Sequence, residues 1–281
     1  MITLKDFLIL TKFKLSFVVS LSLIFGFLLA KKSIDFSVVE PYLAVLLLAL
    51  GVSVLNQVQE YKEDALMQRT KNRPIAAKRL SPKSGFYISI SLITIATYFI
   101  YKSLGINGIL IFAAVIFLYN GFYTYAKKTT IYAAVYGAVL GVIPPMIGWL
   151  SANGELKSLE FFSLALFYFI WQIPHFWLLV LKYKKDYKKA KFPTMIDSFG
   201  VDGLERITFI WLLLTLICGS FLLIVFNVNY KLVLSLLIIV NFVTLFFIIK
   251  LVKKHNYLHN FIAINSYMLL TMSLLVFDKI I

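Results

Sequence analysis

The sequence has little of what disulfide frameworks and zinc centres require. It contains one cysteine, Cys218, and three histidines in 281 residues. A single cysteine cannot form an intrachain disulfide, and it gives no information about the redox compartment. The histidines, His175, His255 and His259, form no cluster with cysteine that is typical of a zinc site. The sequence therefore predicts neither an intrachain disulfide nor a zinc centre.

Acidic residues are also scarce, with 13 Asp and Glu against 28 Lys and Arg and a net charge of +15. An excess of positive charge can serve nucleic-acid binding, but basic residues also collect in the cytoplasmic loops of membrane proteins. Hydrophobic residues make up 60% of the chain and the mean hydropathy is +0.87. A soluble domain is about 45–50% apolar. We therefore predict an integral membrane protein with no nucleic-acid partner.

The apolar residues fall into repeated segments of about 16–22 residues, the length of a membrane-spanning helix. They lack the apolar–polar alternation of a transmembrane barrel. The pattern predicts an all-α integral membrane bundle of nine helices around a central cavity, and residues 1–281 as a single domain. The predicted helices lie near residues 9–30, 39–59, 86–104, 107–124, 131–150, 160–181, 207–226, 231–250 and 261–278.

The distribution of basic residues predicts the orientation. With a cytoplasmic N-terminus, the two most basic stretches, 60–83 and 182–206, lie on the same side as most other Lys and Arg residues. This asymmetry is typical of cytoplasmic loops, and nine spans then place the C-terminus on the outer side. The two polar stretches are four helices apart, so we expect two similar halves that each present a polar loop to one cavity.

The first polar stretch begins with three oxygen-bearing side chains spaced four residues apart: Asn56, Glu60 and Asp64. Four residues of helix turn about 400°, so successive members drift by only about 40° and share one face. Carboxylates with a neutral carbonyl are suitable ligands for Mg²⁺ shared with a phosphate. A solvated juxtamembrane helix with ion pairs is the alternative, and the spacing alone does not separate the two.

Basic and hydroxyl side chains follow at once and predict a diphosphate site. The planar guanidinium groups of Arg69 and Arg73 suit an oxyanion, and Thr70 and Asn72 add neutral donors. Lys14, near the N-terminus, is a further candidate for the diphosphate; its alternative is to extend its ammonium group to the membrane surface.

The pattern N-x3-E-x3-D-x2-M-x-R-T-x2-R-P over residues 56–74 resembles the first motif of the UbiA superfamily of intramembrane prenyltransferases. Its M-x-R-T form is most similar to the haem O synthase branch, as are the segments GVIPPMIGW at 141–149 and WQIPHFW at 171–177. By this resemblance, the face that carries Asn56, Glu60 and Asp64 binds Mg²⁺ and a prenyl diphosphate and is catalytic.

Within WQIPHFW, an ionisable side chain inside a membrane span is expected to face the bundle interior or a cavity. The resemblance makes His175 a candidate for ligating haem iron or positioning the porphyrin, since imidazole is a common haem ligand. Trp171 and Trp177 are candidates for the wall of the acceptor site. A histidine hydrogen-bonded to a neighbouring helix is the alternative.

The second polar stretch contains Asp186 in the sequence YKKDY. It resembles the second, aspartate-rich motif of the superfamily, which implies that Asp186 is catalytic and binds a second Mg²⁺. The sequence departs from the motif at Lys185, where the branch often has an acidic residue, and in the run FPTM at 192–195. Asp197 and Asp202 are candidate helpers.

The resemblance implies a Mg²⁺-dependent transferase that moves the farnesyl group of farnesyl diphosphate onto the 2-vinyl group of haem b. It also implies a bacterial cytoplasmic (inner) membrane location, contact with membrane lipids and a haem A synthase or terminal oxidase assembly as partner. Another UbiA enzyme, acting on a quinone precursor or other aromatic or lipid acceptor, is one alternative. A polytopic transporter is the other, although its charges should lie near the membrane midplane.

Overall fold

The computed structural model describes residues 3–281, except for the side chains of 250–254, and every regular element in that part is helical. A short 3₁₀ turn lies at Phe36–Val38, and a π-helix at Phe117–Tyr123. The α-helices are α1 (Leu4–Leu10), α2 (Phe13–Lys31), α3 (Val39–Leu66), α4 (Pro82–Ile116), α5 (Thr124–Thr129), α6 (Ala133–Ser151), α7 (Leu159–Lys182), α8 (Lys184–Lys189), α9 (Met195–Val225), α10 (Lys231–Lys254) and α11 (Tyr257–Ile280).

Eight helical segments of the described chain are long and apolar enough to cross a membrane, against nine predicted. The difference arises at Pro82–Thr129, which counts as one segment although it contains both predicted helices, 86–104 and 107–124, separated by a break at Gly105. This segment has 48 residues, or about 72 Å at 1.5 Å per residue, far more than one bilayer crossing requires. All-α membrane architecture is confirmed.

The chain folds back on itself at Gly105, whose φ of 59° and ψ of −143° interrupt α4. A β-carbon built on Gly108 would lie 2.9 Å from the carbonyl oxygen of Ile100. In a straight helix these residues would be about 12 Å apart. The Ser89 hydroxyl donates to the Gly51 carbonyl and the Asn120 amide donates to that of Val52, so both limbs pack against one level of α3.

Two predicted boundaries are wrong in a way that affects the polar stretches. Helix α3 continues to Leu66, beyond the predicted end at 59, so Glu60 and Asp64 are helical. Helix α9 begins at Met195 instead of 207, and its backbone breaks at Gly200 with φ 67°. Thr194 and Asp197 form the capping box of α9. The stretch 182–206 is therefore largely helical, and Asp197 acts as a helix cap.

The chain divides into two compact units. The first contains residues 1–24, 36–133 and 185–193, and the second contains 25–35, 134–184 and 194–281. In the first unit, Leu10, Val54 and Ile75 form a buried cluster that joins α1, α3 and the loop after α3.

The second unit is built on a larger apolar core that joins α7, α9 and α11. Leu164, Tyr168, Leu212 and Tyr267 are among its buried members. Helix α6 remains helical through Pro144–Pro145. Gly26 of α2 packs directly on the Pro145 backbone, where a larger side chain would collide. The absence of a side chain at Gly26 therefore allows the two helices to approach closely.

Candidate active site

The row of oxygen-bearing side chains predicted on α3 lies on one helix face and is buried in the first unit. Asn56, Glu60 and Asp64 are 1%, 3% and 1% exposed. The Asn56 amide nitrogen donates to Glu60 Oε2 at 2.9 Å and to Thr124 Oγ1 at 3.1 Å. Glu63, on another face, is half-buried and pairs with Lys128 at 2.6 Å. The solvated-helix alternative is therefore wrong for this row, because its side chains are withdrawn from solvent.

Each member of the row has a cationic partner. Lys127 Nζ lies 2.7 Å from Glu60 Oε1, and Arg73 donates through one guanidinium nitrogen to both carboxylate oxygens of Asp64 at 2.8 Å. Lys12 Nζ donates to Asn56 Oδ1 at 2.9 Å. Two buried carboxylates are thus neutralised by two cations, which is the arrangement that buried charges require.

Lys12 reaches the row from the turn between α1 and α2, where its backbone has a φ of 48°. The side-chain amide of Gln57, the next residue after Asn56, donates to the carbonyls of Ile9 and Leu10 and holds this turn against α3. Lys14, predicted for the diphosphate, is exposed two residues further along, and its role stays a prediction.

The environment of Lys12 disfavours its charged form. Burial is the largest cause that lowers the pKa of Lys12, to about 7; the nearby Arg73 and Lys127 contribute to this shift, while Glu60 and Asp64 oppose it. Lys12 therefore donates to Asn56 from a buried position that disfavours a positive charge.

Thr124 and Lys127 were missed as site residues in the sequence. They follow the π-helix Phe117–Tyr123, and π-helical turns are frequent at functional sites. Asn120 within this turn donates to Gln59 Oε1 at 3.0 Å, which fixes the turn against α3. Lys127 resembled an ordinary cytoplasmic-loop charge, so no local signal in the sequence could have separated it from Lys128.

The loop after α3 carries the residues predicted to bind diphosphate. Thr70 is buried and donates through its hydroxyl to the Asp64 carbonyl at 2.9 Å. Arg69 and Asn72 are exposed, and the Asn72 carbonyl accepts from Arg79, which also pairs with Asp6. Arg73 and Thr70 thus contact the row, while Arg69 and Asn72 lie along the loop's outer side.

Asp186 belongs to the same unit and contacts this loop. Its Oδ1 accepts from the Gln68 backbone N–H at 3.2 Å and its Oδ2 from that of Arg69 at 3.1 Å. The two polar stretches of the sequence therefore meet, as the sequence predicts. In the described structure Asp186 contacts these backbone amides, and its role as a metal ligand stays a prediction. Asp202 is exposed on α9.

The residues predicted for the acceptor lie in the second unit. His175 Nδ1 is 2.9 Å from Asn265 Oδ1, and the His175 ring lies between those of Trp171 and Phe261, at centroid distances of 5.1 and 4.7 Å. Trp177 packs edge-on against Trp211. The interhelical hydrogen bond considered as the alternative for His175 is therefore present.

The same hydrogen bonds define the tautomer of His175. The Asn265 side-chain nitrogen donates to the Phe261 carbonyl, so the other amide atom, which faces His175, is the oxygen. An oxygen acceptor requires His175 Nδ1 to carry the proton. The lone pair of the neutral ring is then on Nε2, the nitrogen available to a metal or a proton donor.

The donor set at the row on α3 suits a divalent cation. Two buried carboxylates and an amide carbonyl within three helical steps are the oxygen ligands that Mg²⁺ takes, with the remaining positions left to phosphate oxygens and water. The surrounding cations suit those phosphate oxygens. Together, the helical membrane fold and this donor set are those of a polytopic membrane protein with a candidate site for a divalent cation and an oxyanion.

The comparisons give the family. A model of the UbiA prenyltransferase family matches residues 19–272, nearly the whole chain. The chain therefore belongs to the UbiA prenyltransferase family. It is similar to solved structures of that fold: a UbiA homologue from Archaeoglobus fulgidus bound to GPP and Mg²⁺ aligns over 98% of both chains, with a TM-score of 0.71 and 9% identity. A digeranylgeranylglyceryl phosphate synthase aligns over 99% of this chain and 98% of its own, with a TM-score of 0.76 and 15% sequence identity.

Relatives of higher sequence identity include two protoheme IX farnesyltransferases. The protoheme IX farnesyltransferase of Oleidesulfovibrio alaskensis is 39% identical over 66% of this chain and 65% of its own length. That of Nitratidesulfovibrio vulgaris strain DP4 is 32% identical over 74% of this chain and 73% of its own. The matches thus cover about two thirds to three quarters of these relatives.

Proposed function

We propose that this chain is a protohaem IX farnesyltransferase, which transfers the farnesyl group of farnesyl diphosphate to the 2-vinyl group of haem b to form haem O. The observation that carries the proposal is the buried row Asn56, Glu60 and Asp64 with its cationic partners. It is supported by relatives of that name at 39% and 32% identity.

The first unit provides the diphosphate site in this proposal. Asn56, Glu60 and Asp64 hold Mg²⁺, with Asp186 retained from the sequence as a candidate further ligand. Mg²⁺, when bound, stabilises the negative charge that develops on the departing diphosphate. Arg73 and Thr70 already contact Asp64 and stand beside that charge. The remaining candidates for diphosphate contact are Arg69, Asn72 and Lys14.

These residues act on the charge of the leaving group. When the carbon–oxygen bond of an allylic diphosphate breaks, both bonding electrons leave with the diphosphate and an allylic cation remains. Cations placed at the leaving group lower the energy of that transition state. The vinyl π-electrons then form the new carbon–carbon bond. Water adds to the resulting cation and loses a proton, which gives the hydroxyethylfarnesyl side chain. No nucleophile from the protein is required.

The second unit provides haem contacts in this proposal. His175 presents Nε2 as the free nitrogen because Asn265 accepts from Nδ1. A metal-bound histidine usually donates its other ring N–H in this way. The proposal assigns His175 to the haem iron and Trp171 to the porphyrin, with Trp177 supporting them from the same helix.

The proposal also includes the finer points of location. We assign the basic stretches to the cytoplasmic side of a bacterial inner membrane, by the excess of Lys and Arg in cytoplasmic loops, with the N-terminus inside and the C-terminus outside. Residues 1–281 act as one prenyltransferase domain in contact with membrane lipids. The haem O product then passes to a haem A synthase or to a terminal oxidase assembly.

The test is a defined reaction. Purified protein in detergent is incubated with haem b, farnesyl diphosphate and Mg²⁺, and the molecular mass of the haem product is measured by mass spectrometry. We expect the mass of haem b to increase by one farnesyl group and one hydroxyl group. Parallel reactions with an aromatic acid or a lipid alcohol as acceptor test the rival UbiA activities. A prenylated product in either of those, with unchanged haem, would refute the proposed acceptor.

A further inference from the structure

The carboxylate of Asp186 is engaged on both oxygens by the loop that follows α3. Oδ1 accepts from the backbone N–H of Gln68 at 3.2 Å, and Oδ2 accepts from that of Arg69 at 3.1 Å. Asp186 is only 8% exposed, so these bonds are shielded from water. Hydrogen bonds from amides to an ionised carboxylate are stronger than those between neutral groups.

Apolar packing joins the same two segments. Met67 is 4% exposed and lies in a buried cluster with Ala190 and Phe192, and Tyr187 packs against it. The Arg69 guanidinium also interacts with the Tyr187 hydroxyl. The segment 185–193 therefore contacts three parts of the loop: its backbone amides, the Met67 side chain and the Arg69 side chain.

The loop positions the cations of the site. Helix α3 ends at Leu66, and Met67 has the extended φ and ψ of −92° and 129°. Downstream, Arg73 donates to both carboxylate oxygens of Asp64. The backbone amides held by Asp186 lie between these two fixed points. If they are released, the loop loses the anchor that determines where Arg69 and Arg73 point.

We propose that Asp186 is a positioning residue, which holds the loop 67–73 in place through the Gln68 and Arg69 amides before any metal binds. In this role Asp186 acts on the diphosphate through Arg69 and Arg73. The inference rests on the proposed function only for the identity of the anion, a diphosphate. The anchoring itself concerns the protein without substrate.

The test exploits the tryptic sites inside the loop. Trypsin cleaves after Arg69 and Lys71 only when the loop opens, whereas cleavage after Lys32, outside the loop, serves as an internal reference. Full-length protein in detergent, without Mg²⁺ or diphosphate, is compared with Asp186→Asn and with Asp202→Asn, an exposed aspartate on α9. Fragments are identified by mass spectrometry.

We expect Asp186→Asn to raise the loop cleavage rate about tenfold or more relative to Lys32, because loss of charge-assisted hydrogen bonds increases the open population that the protease attacks. Asp202→Asn should match the wild type. Met67→Ala, which removes the apolar contact but no candidate metal ligand, should also raise cleavage.

A second measurement separates anchoring from metal binding. Inorganic pyrophosphate affinity is measured by calorimetry with and without Mg²⁺. Weaker binding by Asp186→Asn in both conditions supports anchoring. Unchanged cleavage together with a loss of affinity confined to Mg²⁺ would overturn it and make Asp186 a metal ligand. The proteolysis does not depend on farnesyl transfer. It therefore tests the anchoring by Asp186 even if the chain proves not to transfer farnesyl groups.

Discussion

Two neighbouring lysines provide a matched pair of variants for the site. Lys127 pairs with Glu60, whose side chain is 5% exposed, and Lys128 pairs with Glu63, whose side chain is 25% exposed. Lys127→Met leaves a buried carboxylate unpaired, which costs about 3–5 kcal/mol in general. Lys128→Met breaks a more solvated pair, worth about 0–1 kcal/mol. We therefore expect Lys127→Met to lower the unfolding midpoint by several degrees more than Lys128→Met does.

Magnesium should rescue the first variant. Without the ammonium group, Glu60 is free to bind a divalent cation, and a ligand at about 100 times its dissociation constant stabilises by about 2.7 kcal/mol. The assay is thermal unfolding in detergent followed by circular dichroism, at one scan rate, with MgCl₂ against choline chloride of equal ionic strength. The midpoint of Lys127→Met should rise with Mg²⁺ more than that of the wild type.

The double variant Glu60→Gln/Lys127→Met provides the control. It removes the unpaired charge, so its stability should recover while the response to Mg²⁺ disappears. The reasoning would be refuted if Lys127→Met and Lys128→Met unfolded at the same temperature without Mg²⁺. Equal stabilisation of both variants by Mg²⁺ would contradict a cation site at Glu60.

Three further variants test other parts of the chain. Asp64→Asn should abolish prenyl transfer while the protein still inserts and binds detergent normally, and retained transfer with Mg²⁺ present would contradict the metal role. Asn265→Ala should shift the absorption band of bound haem while the affinity for farnesyl diphosphate stays unchanged. Equal loss of haem binding and of farnesyl diphosphate binding would indicate that His175 is structural. Asn120→Ala should lower the free energy of unfolding by about 1–3 kcal/mol, because it leaves buried polar partners unsatisfied. Ser91→Ala, on an exposed helix face, should change it little, and thermal unfolding measures both variants.

The row of site residues on α3 could be predicted from the sequence because helical geometry determines it. A spacing of four residues places Asn56, Glu60 and Asp64 on one face whatever the rest of the chain does. The spacing did not decide whether that face is buried or solvated, and the structure shows that it is buried. The two limbs of segment 82–129 were also predictable in outline, because the two predicted helices, 86–104 and 107–124, lie on either side of the break at Gly105.

Arg73 was a candidate from the sequence, but the contacts of Lys127 and Lys12 with the row could not be predicted, since they depend on tertiary structure. Lys127 is 67 residues from Glu60 in sequence. Lys12 reaches Asn56 only because its own backbone adopts a positive φ and Gln57 holds the turn. Asp186 was found by its motif, yet its contact with backbone amides could not be read from side-chain spacing.

The charges of the site explain why metal and diphosphate are expected to bind together. Glu60 and Asp64 are balanced by Lys127 and Arg73 in the described structure. A divalent cation alone would leave these two cations without their carboxylates, and a diphosphate alone would add negative charge beside two buried carboxylates. In the site we propose, a bound metal would pair with the carboxylates and a bound diphosphate would pair with the released cations. Each ligand would then remove the electrostatic cost of binding the other, and this coupling between the two ligands is a free energy.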